Sequence, residues 1–200
     1  MSMYEISATL EGLDDGLLMH KFSTDSTADM ENKVKKTAKA QLTPAAAAED
    51  AAYRLEPTDG QAKGQLALPA DHFLASMVGA ASGYQIKGKG KKTYKDAFKG
   101  LISINPVLIG LTTADGQPFY DYIIDSRPVR NPSTGGRVVR HRPFFKPGWR
   151  VAFTLKVMDD GIPLEVVQAI LSDAGMSKGV GDYRPRYGKF RIVHFEQVTA

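Results

Sequence analysis

Apolar and polar residues alternate along "YEISATLEGL" (4–13), which puts Tyr4, Ile6, Ala8 and Leu10 on one face of a strand. The apolar run "GLLMHKF" (16–22) is expected to continue that strand or to pair with it. From 24 to 52 the alternation stops, and the chain becomes polar and alanine-rich. Asp25 or Ser26 can cap one helix there, and Thr43 followed by Pro44 can start a second. Because its apolar positions are mostly alanine, 24–52 is predicted as a thinly packed helical insertion between strands.

"LALPADHFLASMVGAASGY" (66–84) begins a firmer helix, with Pro69 in the first turn and Phe73, Leu74, Met77 and Val78 as its apolar stripe. A loop, "QIKGKGKKTYKD" (85–96), follows. "LISINPVLIGLT" (101–112) reads as a buried strand or strand pair broken at Asn105–Pro106, and "FYDYII" (119–124) as another strand. "RPVRNPSTGGR" (127–137) reads as a long turn-rich connection. "RVVRHRPFF" (137–145) and "WRVAFTLKVMDD" (149–160) are predicted strands, the second with Val151, Phe153, Leu155 and Val157 on one face. The clearest helix is "GIPLEVVQAILSDAG" (161–175), with Pro163 near its start and Leu164, Val167, Ile170 and Leu171 inward. Gly175 is the expected C′ residue. A glycine-punctuated loop, "KGVGDYRPRYGKF" (178–190), leads into a last strand, "RIVHFEQV" (191–198).

Strand, helix, glycine loop and strand at the C-terminal end make half of a βαββαβ ferredoxin-like fold, and the first strand and helix supply the rest. The fold class expected is therefore α+β, an RRM/ferredoxin-like core with an antiparallel sheet, plus the N-terminal helical insertion. The 200 residues, 42% of them hydrophobic, can bury one sizeable core, so 1–200 is expected to form a single domain.

Charge changes the picture. Residues 1–60 carry 11 acids and 6 bases, a net of −5, whereas 61–200 carry 11 acids and 20 bases, a net of +9. A portion so basic points to a polyanionic partner. The absence of cysteine excludes disulfides, thiolate zinc sites and cysteine nucleophiles. Without an 18-residue apolar run or a signal-like start, no membrane association is expected, and the reducing cytoplasm is the expected compartment.

Two nucleotide motifs nearly form and fail. Gly83, Gly88 and Lys89 have P-loop spacing, but Gly90 stands where a magnesium-binding hydroxyl belongs. Gly179 and Gly181 begin a dinucleotide fingerprint, but Arg184 replaces its third glycine and a strand follows in place of a helix. His20, His72, His141 and His194 are scattered without ligand spacing. No metal, no cofactor and no small-molecule substrate is expected.

Three segments are candidates for binding. Lys87, Lys89, Lys91 and Lys92 lie in one glycine-spaced loop, where they could displace counterions from phosphates. The stretch 127–150 holds Arg127, Arg130, Arg137, Arg140, Arg142, Lys146 and Arg150 without a single acid, so none has a neutralising partner nearby in sequence. On a strand, Arg140 and Arg142 share a side. At least two of Phe144, Phe145 and Trp149 are expected in the core. In the last loop, Gly179 and Gly181 let the backbone lie flat against a strand edge or a ligand. Arg184, Arg186 and Lys189 add charge there, and Tyr183 and Tyr187 add rings suited to unpaired bases. A local Asp182–Arg184 pair and a turn stiffened by Pro185 are the plainer alternative.

The same residues resemble a known family. A helix ending "AG", then "GVGDYRPRYGKF" and a terminal strand, is similar to the C-terminal glycine-rich loop of the RAMP superfamily, the RNA-binding and processing subunits of CRISPR systems. "LPADHFLASMVGAA" resembles the first helix of their RRM-like domain. Together with "KGKGKKTY" and "RVVRHRPFF…W", the motifs look closest to uncharacterised phage and prophage proteins. The resemblance covers most of 60–197. It implies an RRM-like fold, a thumb-like role for the 24–52 insertion, and binding of single-stranded nucleic acid by several copies side by side as a homo-oligomer or filament. The expected function is non-catalytic binding of a single strand, RNA ahead of DNA. The rival readings are a metal-independent endoribonuclease with His20 or His141 as base, and a phage structural or host-interaction protein.

Overall fold

A computed structural model describes residues 3–21, 43–58, 60–130, 135–159 and 161–198. In chain order the elements are β1 (Tyr4–Gly12), β2 (Leu17–Leu18), α1 (Pro44–Asp50), β3 (Ala67–Pro69) and α2 (Ala70–Ala81). Then come α3 (Lys95–Leu101), β4 (Ile102–Asn105), β5 (Leu108–Gly110), β6 (Ile123–Arg130) and β7 (Arg137–Phe145). The chain closes with β8 (Arg150–Val157), α4 (Leu164–Asp173), one turn of π-helix (Ala174–Lys178) and β9 (Phe190–Val198).

The core follows directly from the periodicities. β1, α2, β4, β8, α4 and β9 trace βαββαβ, and their strands form one antiparallel sheet in the order β4-β8-β1-β9. That order, with the first strand between the third and the fourth, is the ferredoxin-like arrangement. Ile6, Ala8 and Leu10 of β1 and Val151, Leu155 and Val157 of β8 are fully buried, as alternation requires. Phe73 and Met77 of α2 and Val167, Ile170 and Leu171 of α4 pack on the same core. Phe73 sits between Phe153 and Phe190, with ring centroids 5.4 and 5.9 Å away. Pro69 and Pro163 occupy the N-cap positions of α2 and α4, where a missing N–H costs nothing. Thr43 caps α1, its hydroxyl accepting from the Ala46 N–H at 3.3 Å. The expected cap at Asp25 or Ser26 lies outside the described residues.

Two additions grow from this core, β3 paired with β5 and a second sheet ordered β2-β7-β6. Here several expectations need correcting. The described part of "GLLMHKF", residues 16–21, neither extends nor pairs with β1. Its Leu17 and Leu18 pair with Phe145 and Phe144 of β7. "FYDYII" becomes strand only at Ile123, and β6 runs on through Arg127–Arg130, a stretch read as turn. Cross-strand pairing with β7 overrides the local turn signal, and Pro128 is tolerated because β6 is an edge strand. Gly175 is not the C′ residue of α4. It lies inside the π-turn, where a Cβ would come within 2.2 Å of the Phe190 carbonyl oxygen. Gly179, at φ 68°, ends that turn instead.

Candidate nucleic-acid interface

The glycine-rich loop is pinned to the short strand β2. Asp182 N–H donates to the Leu18 carbonyl at 2.8 Å, and Gly188 N–H donates to the Gly16 carbonyl at 2.8 Å. Val180 N–H closes the loop on itself through the Gly188 carbonyl at 2.9 Å. Gly181 has φ 77°, and a Cβ there would lie 2.4 Å from the Leu18 carbonyl oxygen. At Gly188 a Cβ would lie 1.7 Å from the Val180 carbonyl oxygen. The close approach that glycine permits is thus made by a strand edge. The side chains of Tyr183, Arg184 and Arg186 are left facing outward.

The hairpin β6–β7 delivers its arginines to this loop. In the β6–β7 register Arg127 faces Arg140 and Asp125 faces Arg142, so all four share one side. Arg127 is gripped by Asp125 through a bidentate pair, and its Nη1 donates to the Tyr187 hydroxyl at 3.0 Å. Its guanidinium carbon also lies 5.0 Å from the Tyr187 ring centre and 5.7 Å from that of Tyr183. The two tyrosines meet edge to face at 6.0 Å, and Phe144 closes the stack on Tyr187 at 6.3 Å.

Three of the arginines of 127–150 are paired, and only for Arg127, whose acid lies two residues away, does this correct the expectation of no neutralising partner nearby in sequence. Arg127 pairs with Asp125. Arg142, only 2% exposed, lies 3.0 Å from an Asp182 carboxylate oxygen. Arg150 binds Glu11 and donates to the Ala114 carbonyl. Asp182 is consequently taken by Arg142 and not by Arg184. Buried and paired, Arg142 is withdrawn from any outside phosphate. Arg140 stays partly exposed and has no ion pair among the described residues. Asp125 stands just before the acid-free run and meets Arg127 as its neighbour two residues along β6, whereas Asp182 and Glu11 reach the run only through the fold. Phe145 and Trp149 are core, as expected, and Phe144 is the half-exposed member of the three.

Other candidates fall elsewhere. Arg130 faces Arg137 near the outer end of the hairpin, on the side opposite Arg140. His141 is on that opposite side too, its Nδ1 2.7 Å from the Ser126 hydroxyl. His20 is half-buried near the cluster, and burial, helped by Arg140 and Arg142, lowers its pKa against the opposing pull of Asp182. The loop holding Lys87, Lys89, Lys91 and Lys92 follows the C-terminal end of α2 and is anchored by the Tyr84 hydroxyl on the Ala169 carbonyl. Arg184 acts instead on His72 in the first turn of α2, some nine residues or roughly 14 Å along that helix from Ala81. Lysine loop and glycine loop therefore do not form one patch.

The open face of the core sheet is a poor platform for bases. Its central positions are Ser7, Thr9, Ala152 and Thr154, paired across β1 and β8, with His194 and Glu196 beside them on β9. Its charges neutralise one another: Lys156 meets Glu5 at 3.0 Å, and Arg150 and Arg191 both bind Glu11. Those two guanidinium hydrogen bonds hold the Glu11 carboxyl below the usual range. An RRM sheet that binds RNA carries aromatic rings at such positions. Here the exposed ring of Tyr183 lies on the hairpin–loop side, beside Arg140, Arg184 and Arg186, which have no ion pair among the described residues.

No family model matches the chain. No curated protein matches it either. A chain in a solved structure described as the Type III-B Cmr-beta bound to cognate target RNA is similar in fold, with a TM-score of 0.55 and 8% identity. The match covers 98% of this chain and 61% of that one, so this protein spans about three-fifths of its length. At such identity the likeness is one of fold alone, and it agrees with the α+β architecture and antiparallel sheet described above. Among the described residues no group of three or more His, Asp or Glu could hold a metal ion, and no helix is long and apolar enough to cross a membrane.

Proposed function

We propose that this protein binds single-stranded RNA, without cleaving it, along the surface formed by the β6–β7 hairpin and the 179–189 loop, as a RAMP-type protein. The observation that carries the reading is the Tyr183–Arg127–Tyr187 stack, ringed by cations free of ion pairs among the described residues: Arg140, Arg184, Arg186 and Lys189. Rings at the surface accept any unpaired base, and the surrounding cations accept its phosphates. RNA is favoured over DNA because the structural neighbour is described as bound to target RNA. Gly179 and Gly181 serve this surface indirectly, by seating the loop on β2. Lys87, Lys89, Lys91 and Lys92, with Arg130 and Arg137, engage only strands long enough to leave the central patch. Several copies side by side along one strand, and residence in the cytoplasm, belong to the same proposal.

The test is fluorescence anisotropy with a 20-nucleotide single-stranded RNA, the matching DNA and the duplex of each. The reading expects tight binding to RNA, weaker binding to single-stranded DNA and the weakest to duplex. Equal affinity for duplex and single strand would remove the role of the rings. Detection of shortened RNA after metal-free incubation would replace binding with cleavage.

A further inference from the structure

We propose that the cleft between α2 and the glycine-rich loop holds one unpaired nucleotide of the bound strand, its base against Tyr183 and its phosphate between Lys178 and Arg184. This rests on the reading above that the protein binds single strands, and it adds a second wall that the sequence motifs did not contain.

The cleft measures about 520 Å³, within the range of small-ligand sites. Its helical wall is Ala75, Ser76 and Gly79, small residues that helical spacing places on one side of α2. The Ser76 hydroxyl is spent inward on the Ala174 carbonyl at 3.2 Å, which fixes this wall to the π-turn. At Gly79 a Cβ would only touch the methylenes of Lys178 at 3.7 Å. The Lys178 stem thus lies along the helix, and its ammonium belongs to the rim.

The facing wall is built from Tyr183, Arg184 and Pro185. Tyr183 is held at φ 59°, alone among the described non-glycine residues in having a positive φ. A tyrosine in that region is disfavoured, and such strain gathers where a side chain must be aimed. Despite that placement the residue is 48% exposed. Arg127 and Tyr187 contact it on the hairpin side, and the cleft opens beside it. Lys178 and Arg184 have no ion pair among the described residues, and the acid of the lining, Asp182, is already matched by Arg142. The cleft is therefore cationic with one exposed ring, the combination that fits a phosphate joined to a flat base. A duplex cannot enter, because its bases are stacked on each other.

The experiment uses the full chain and a 12-nucleotide single-stranded RNA with one central 2-aminopurine, whose fluorescence falls on stacking. Tyr183→Gly removes the ring while suiting the positive φ, and Ala75→Phe fills the cleft from an exposed helix position. Both should weaken binding roughly 5- to 100-fold and abolish the quenching seen with wild type, with circular dichroism and Tm unchanged. Adenosine monophosphate should bind far more weakly than the strand. If wild type binds no single strand, the underlying reading falls and the cleft proposal falls with it. If wild type binds and both variants match it in affinity and quenching, the cleft is empty of nucleotide and only the present proposal is overturned. If the free mononucleotide binds as tightly as the strand, the site serves a free nucleotide and the proposal is likewise overturned.

Discussion

The guanidinium of Arg142 on β7 meets the carboxylate of Asp182 in the glycine-rich loop at 3.0 Å, with Arg142 almost wholly buried. This pair fastens the hairpin to the loop from beneath, while the Arg127–tyrosine stack fastens it at the surface. Arg142→Ala strands a partly buried carboxylate, and it should cost about 3 kcal/mol, the lower end for breaking a buried pair because Asp182 stays partly wet. Arg140→Ala, two residues away on the same side, should leave Tm unchanged and weaken RNA binding. Urea unfolding and anisotropy of the two single variants separate the roles. Equal stability of both would show that the buried pair contributes nothing.

Gly181 and Gly88 share a φ of 77°, yet only Gly181 has a neighbour where a Cβ would go. Gly88→Ala should cost about 1 kcal/mol, the backbone term alone. Gly181→Ala must also push β2 and the loop apart, and should destabilise by more than that. Thermal unfolding of the pair is the comparison, and similar losses would show that the loop yields without strain.

Salt reads the number of phosphates engaged. Five cations without ion pairs among the described residues border the ring cluster and the cleft: Arg140, Lys178, Arg184, Arg186 and Lys189. If each meets one phosphate, the log–log slope for a short single strand should be roughly −3.5. Replacing Lys87, Lys89, Lys91 and Lys92 by Gln should leave that slope alone and flatten it only for long strands. A slope near zero for the short strand would exclude phosphate contact as the driving term.

Acid stability should depend on Glu49. Hydrogen bonds from Arg54, then Tyr122 and Lys63, hold its carboxyl down at about 2. A carboxylate with a depressed folded pKa contributes stability that is fully present above its ordinary value near 4.5 and is lost as pH falls toward 2. Glu49→Gln should therefore lower Tm at pH 7 and make little difference near pH 2. A constant gap between the two proteins across that window would show that the shift is not linked to folding.

The core was legible because each of its elements announces its own period. β1, β8, α2 and α4 bury most of the residues that alternation and 3–4 spacing select, with Tyr4, Leu74, Val78 and Leu164 only partly covered at the core's edge, and their order along the chain implies the sheet. The hairpin was not legible at "RPVRNPSTGGR", since its strand character comes from pairing with β7 and local composition says turn. The candidate site was half-visible. Its tyrosines and arginines stand in the sequence, and so does Asp125 two residues before Arg127, but Asp182 and Glu11 also decide which arginines remain free, and only tertiary structure brings those two there. The small residues Ala75, Ser76 and Gly79 looked like a helix's dull side, and nothing in one sequence says that a loop faces them.

β1 pairs with β9 along most of its length, from Glu5 opposite Val198 to Gly12 opposite Phe190. The first strand of the sheet is therefore completed by the last, and Phe190 covers both Phe73 and Gly175 as it arrives. Contacts this distant in sequence form late, because a long chain must be closed before they repay it. Until the C-terminal segment has left the ribosome, β1 keeps a bare edge and Phe73 an uncovered face. A chain cut before Phe190 should accumulate as aggregate, even though every residue of the hairpin and most of the glycine-rich loop would still be present.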